Sequence, residues 1–207
     1  MASNYTGRMR NSHWFRIFGI EPRFMPDTKD VEGFIWDEVV RQGHDPRIEE
    51  DGGIRCEWMQ EAWDFAVENA SEKPQVAHIE RIGTILEQGH NVGGFRDYNN
   101  ANVFIGDHKA PDSHFVRGLI HDLFSVVDQI QPLTDLIVNG AWKSYTVGGF
   151  SDEISALETA DDFYLAFEWI HPFRDGNGRT GKILHNWLMH TLNDPILIAD
   201  YFQMGNP

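Results

Sequence analysis

The chain has 207 residues, a formal net charge of −15 and a single cysteine, Cys56. So acidic a surface repels nucleic acid, and the 17 Lys and Arg are scattered and form no run to override it. No stretch approaches the roughly 18 consecutive apolar residues of a membrane span, so neither nucleic acid nor membrane is an expected partner.

The start, "MASNYTGRMRNSHWFRIF", has no long apolar region of the signal-peptide kind. With one unpaired cysteine, this sets the expected location as the cytoplasm, or a host cell reached by a route not visible in the chain. Residues 1–26 are aromatic-rich but irregular, punctuated by Pro22 and Pro26. A short helix is predicted over 28–40, with Asp27 or Thr28 as N-cap and Gly33 as a weak spot. "HDPRIEEDGG" (44–53) reads as an exposed loop. Residues 57–69 are predicted helical with Trp58, Ala62, Trp63 and Phe65 inside. Residues 75–88 are predicted helical with Val76, Ile79, Ile82 and Leu86 at 3-3-4 spacing.

The texture changes at "GHNVGGFRDYNNANVFIGDHKAP", where Gly, Asn and Asp surround one β-prone run, Val103-Phe104-Ile105. This predicts a hairpin or extended flap. Helices are predicted again over 112–130 and 133–139. The segment 154–170 is the clearest amphipathic helix, with Leu157, Ala160, Phe163, Phe167 and Ile170 on one face. A last helix is predicted over 178–192, burying Ile183, Leu184, Trp187, Leu188 and Leu192. The predicted fold is mostly α with one small β flap.

Between the last two helices lies "IHPFRDGNGRTGK" (170–182), which fits three patterns. Gly176-x-Gly178-x-x-Gly181 fits a dinucleotide fingerprint, but an amphipathic helix precedes it where a buried strand is required. Gly176 to Lys182 nearly fits a phosphate-binding P-loop, but the position of the Mg²⁺-holding hydroxyl is Ile183. The third pattern begins at His171 and uses every polar residue.

Glycines facing the start of a helix leave its first N–H groups free for an anion, with the positive end of the helix dipole behind them. Gly176 and Gly178 let a phosphate approach closely, and Arg179 adds a forked cation in the first turn. Lys182 follows three residues later. Asp175, a carboxylate beside a phosphate site, suits Mg²⁺. His171 is the only side chain here that titrates near neutrality, so it is the candidate general base. None of the other nine histidines shows convincing metal-ligand spacing.

His171-Pro172-Phe173-Arg174-Asp175-Gly176-Asn177-Gly178-Arg179 resembles the Fic-family motif, His-Pro-Phe-x-Asp/Glu-Gly-Asn-Gly-Arg. "GGFRDYNNANVFIG", followed by Pro111, resembles the family's Gly-x-Tyr/Phe-Arg segment and flap. The resemblance implies a Fic-type helical core over 71–207 behind an N-terminal extension, 1–70. It implies transfer of AMP from ATP to a Ser, Thr or Tyr hydroxyl of a target protein, releasing pyrophosphate. By carry-over His171 is the base and Asp175 holds Mg²⁺. Gly176, Asn177, Gly178, Arg179 and Lys182 serve the nucleotide, and Phe173 anchors the loop. Val103, Phe104 and Ile105 would dock an extended segment of the target as an added strand. The same site could instead remove AMP, transfer another nucleotide, or be a catalytically idle binding module; an oligomer is compatible with all of these.

Two features depart from, or extend, the family pattern. Many members have a second arginine where this chain has Lys182, which loses two-toothed phosphate contact. Kinase-like relatives carry Lys at the motif's last glycine, whereas Gly178 leaves the site open. Thr28-Lys29-Asp30-Val31-Glu32-Gly33 fits the family's self-inhibitory Ser/Thr-x-x-x-Glu-Gly/Asn, which makes Glu32 the candidate inhibitor of Arg179 or Lys182. An ordinary N-capped helix with an exposed Glu32 would carry the same letters.

Overall fold

A computed structural model describes residues 30–96, 103–105, 108–125, 127, 146–147 and 150–198. Among these are six helices: α1 (Val31–Arg41), α2 (Ile54–Glu68), α3 (Val76–Leu86), α4 (Ser113–Phe124), α5 (Asp152–Ile170) and α6 (Asn177–Leu188). The expected mostly helical, Fic-type architecture is what forms. None of the helices is long and apolar enough to cross a membrane. The segments 1–29 and 133–139, with Thr28, Pro22 and Pro26, lie outside the described residues.

α1 begins later than its sequence suggests. Its N-cap is Asp30, whose carboxylate accepts from the Gly33 N–H at 2.8 Å and so satisfies an otherwise orphaned donor. Its inner face is Phe34, Ile35, Glu38 and Val39; Glu32 is on the exposed side. "HDPRIEEDGG" does not end as a plain loop: Glu49–Gly53 closes into a π-helical turn that leads directly into α2. The buried stripe of α2 is Met59, Ala62, Trp63 and Ala66, while Trp58 and Phe65 are only half-buried. Ala62 and Trp63 are inside as expected, while the expected Trp58 and Phe65 give way to their neighbours Met59 and Ala66. Trp63 is the anchor: its ring packs 5.1 Å from that of Phe34, and its indole N–H donates to the Leu192 carbonyl at 3.0 Å.

β1 (Phe104–Ile105) and β2 (His108–Lys109) form the flap, an antiparallel pair with Ile105 opposite His108. Ile105 points into the core and Phe104 is exposed, as the period of two requires. A second hairpin, β3 (Thr146–Val147) with β4 (Phe150–Ser151), was not expected from the sequence and runs straight into α5.

Two apolar clusters meet on α6. One gathers α1, α2 and α3 with Ile183 and Trp187; the other gathers Ile79, Val116, Ile120, Phe163, Phe167 and Ile170 with Leu184 and Leu188. Every residue of α6 except Gly178 is buried. Close approach is made by two glycines. A methyl at Gly181 would lie 2.8 Å from the Tyr164 ring, and one at Gly83 only 2.3 Å from the ring of Phe173. Gly83→Ala is therefore expected to destabilise the protein by about 1–3 kcal/mol, the usual penalty of overpacking. The check is the urea midpoint, which should fall at unchanged slope; an unmoved midpoint would mean that Phe173 is not seated on Gly83.

Candidate active site

α5 ends at Ile170 because Pro172 has no N–H to continue it. Between them His171 takes a left-handed backbone, φ 51°, a conformation costing roughly 1–2 kcal/mol for a residue with a Cβ. Arg96 holds it there. Its Nε donates to the His171 carbonyl at 2.7 Å and its Nη2 to the carbonyls of Ile170 (3.0 Å) and Pro111 (2.5 Å). The Arg96 backbone N–H reaches the Pro172 carbonyl at 2.8 Å. Burial pulls the pKa of this guanidinium down and the Asp112 carboxylate opposes the shift, so it remains a cation. The His171 ring is half-buried with Nδ1 3.3 Å from the Glu168 carbonyl. With the proton on Nδ1 for that contact, Nε2 carries the lone pair a base needs.

Past His171 the loop is stapled on itself. Phe173 is fully buried against Phe95, their rings 5.2 Å apart. The Asn177 amide accepts from the Phe173 N–H at 2.9 Å and donates to the Phe173 carbonyl at 3.1 Å. Gly176, φ 76°, caps α6 in the left-handed region that glycine reaches without strain. Asp175 is exposed; one oxygen accepts from the Gly176 N–H at 2.7 Å and the other lies 4.0 Å from His90 Nδ1. A methyl at Gly178 would stand in open space, so the backbone at the start of α6 can be approached closely.

The two cations of α6 are both buried and both paired. Arg179 contacts Glu87, which also takes Arg55 Nη1 at 2.7 Å. Its Nε and Nη1 are nevertheless buried without a hydrogen-bond partner. Two unspent donors beside a helix N-terminus suit the oxygens of a phosphate. Lys182 is 0% exposed and its Nζ lies 2.8 Å from each oxygen of Glu38. Arg41 also contacts Glu38, and Gln42 donates to it at 3.0 Å. The carboxylates that face the α6 cations are thus Glu87 and Glu38. Glu32, the sequence candidate, does not make the expected pair with either cation: it sits two turns away at the exposed start of α1.

The structure thus brings His171, Asp175, Gly176, Asn177, Gly178 and Arg179 into one loop and helix start, with Lys182 behind them. Asn177 spends its side chain on the Phe173 backbone. Val103, Phe104 and Ile105 lie on the flap; among the described residues β1 pairs only with β2. Sequence reasoning missed Glu38, Glu87 and His90. Glu38 had a visible signal, a carboxylate four residues after Phe34 on an apolar stripe. Glu87 and His90 had none, since their partners are 92 and 85 positions away by the numbering. Asp175, exposed with one oxygen already held, is chemically fit for the divalent cation that accompanies a nucleotide.

Compared with known proteins, residues 73–189 match the sequence model of the Fic/DOC family. No curated protein matches the chain.

Proposed function

The chain belongs to the Fic/DOC family, a membership that supports nucleotidyl transfer as its general activity, and we propose that it moves AMP from ATP to a Ser, Thr or Tyr hydroxyl of a target protein. The observation that carries this reading is the arrangement of the loop: His171 stands at the end of α5, and Arg179 offers two unpartnered buried donors at the start of α6. In the proposed reaction Nε2 of His171 takes the proton of the target hydroxyl. The oxygen attacks the α-phosphorus, the bond to the bridging oxygen breaks, and pyrophosphate leaves. Arg179 and the N–H groups around Gly176 and Gly178 hold the phosphates and carry their charge. Asp175 would hold Mg²⁺, which when bound offsets charge on the phosphates. Val103, Phe104 and Ile105 would align an extended stretch of the target along β1. Residues 1–70 are assigned to a regulatory extension, its acting carboxylate moved from Glu32 to Glu38.

The pairings of Arg179 with Glu87 and of Lys182 with Glu38 favour a second reading, a catalytically idle module whose cations are already satisfied. Incubation with labelled ATP, UTP and GTP separates the two. Covalent label from ATP, with pyrophosphate released, is the expected result; nucleotide bound but never transferred would sink the transferase reading. In the same assay Asp175→Asn should lower the rate and raise the Mg²⁺ needed for half-maximal transfer. An unchanged Mg²⁺ titration would remove Asp175 from the phosphate site.

A further inference from the structure

Glu87, His90 and Asp175 come from two separate parts of the chain, yet one ligand atom from each lies within 4.8 Å of the other two. His90 Nδ1 is 3.4 Å from Glu87 Oε2 and 4.0 Å from Asp175 Oδ2. Donors about 2.1 Å from a shared ion stand roughly 3.0 Å apart at a right angle and about 3.4 Å at the tetrahedral angle. His90 and Glu87 already have that separation, and exposed Asp175 needs only a small side-chain turn to join them.

The frame behind these atoms is built. The turn is closed by N–H donations from His90 (3.0 Å) and Asn91 (2.9 Å) to the Glu87 carbonyl. Asn91, buried, then donates its amide to the carbonyls of Gly83 and Asp175 at 2.9 Å each, so the turn and the motif loop are tied together. Asn91 Oδ1 is left buried with no hydrogen-bond partner. Glu87 spends Oε1 on Arg55 and Arg179, which leaves Oε2 toward His90.

We propose that Glu87, His90 and Asp175 form a three-donor site for a first-row transition dication, and that the His90 nitrogen makes this site prefer Mn²⁺ to Mg²⁺. Mg²⁺ takes oxygen ligands and gives up its waters reluctantly, whereas imidazole suits the transition ions. This inference rests on the functional reading above for one point only. When Arg179 turns to a phosphate, Glu87 keeps more of its charge for the ion. It goes beyond that reading in adding Glu87 and His90 as ligands beside Asp175 and in ranking Mn²⁺ above Mg²⁺ there.

The test is Mn²⁺ binding to the nucleotide-free protein, followed by the loss of the free-ion electron paramagnetic resonance signal, with Mg²⁺ added as competitor. His90 is 61% exposed, so His90→Ala should fold as the wild type does. The wild type is expected to bind Mn²⁺ about tenfold or more tighter than Mg²⁺, with His90→Ala erasing that preference. Asp175→Asn should weaken both ions. Equal Mn²⁺ affinity in wild type and His90→Ala, or no Mn²⁺ binding by the wild type, overturns the proposal. A protein that transfers AMP but lacks His90-dependent Mn²⁺ binding loses this inference and keeps the transferase. One that binds Mn²⁺ through His90 but transfers nothing does the reverse.

Discussion

Glu38→Ala is expected to lower stability by roughly 3–5 kcal/mol, because it removes the buried carboxylate that lies 2.8 Å from the fully buried Lys182 amine. The double variant Glu38→Leu with Lys182→Met should recover most of the loss, since well-packed apolar residues often replace a buried pair without penalty. Urea titrations of the wild type, the single variants and the double variant make the comparison. Near-equal midpoints for wild type and Glu38→Ala would mean that the pair contributes nothing to holding α1 against α6.

The same pair sets an acid limit. Burial alone would raise the Glu38 pKa; the charges of Lys182 and Arg41, with hydrogen bonds from Lys182 and Gln42, outweigh that and hold it below the ordinary value. A lowered folded pKa means that this stability is fully present above the unfolded value, about 4.3, and is lost as pH falls through the folded one. Stability of the wild type should therefore drop with acid below about pH 4.3, and that of the double variant should drop less.

His171→Ala should reduce transfer by about 10²–10⁴ while nucleotide binding stays nearly intact, the expected loss when a general base is removed. The left-handed backbone of His171 complicates alanine, which tolerates that region poorly. His171→Asn is the companion variant, because asparagine visits it more readily and supplies no base. Both variants should fail alike in labelling from ATP. If the asparagine variant retains a tenth of the wild-type rate, the proton goes elsewhere.

What could be read from the sequence was whatever repeats locally. Val76, Ile79, Ile82 and Leu86 recur on one face of α3, and Ala160, Phe163, Phe167 and Ile170 on one face of α5; both helices formed where expected. The motif loop was legible because its letters are consecutive. What was hidden lies in pairings across the chain. Nothing near Lys182 announces that Glu38, 144 positions earlier, will meet it. α6 was also misleading by composition. Its Asn177, Arg179, Lys182, His185 and Asn186 look like a solvated face, yet all are buried because other elements supply their partners. The start of α1 was misjudged for a smaller reason: Asp27, Thr28 and Asp30 are all good caps by type, and the Gly33 N–H is taken by Asp30.

The burial of α6 changes what its letters testify to. Asn177 staples the Phe173 backbone, Arg179 neutralises Glu87, and His185 Nε2 sits 2.9 Å from Asp161. Each of these buried contacts helps to hold the helix in place, whether or not a reaction takes place beside it. A descendant of this chain that had lost its chemistry would be held to the same residues by stability alone. Asp175, exposed, carries little of that burden and would be the first to drift. In this fold Asp175 would testify to the proposed chemistry alone, whereas Asn177 and Arg179 answer to folding as well.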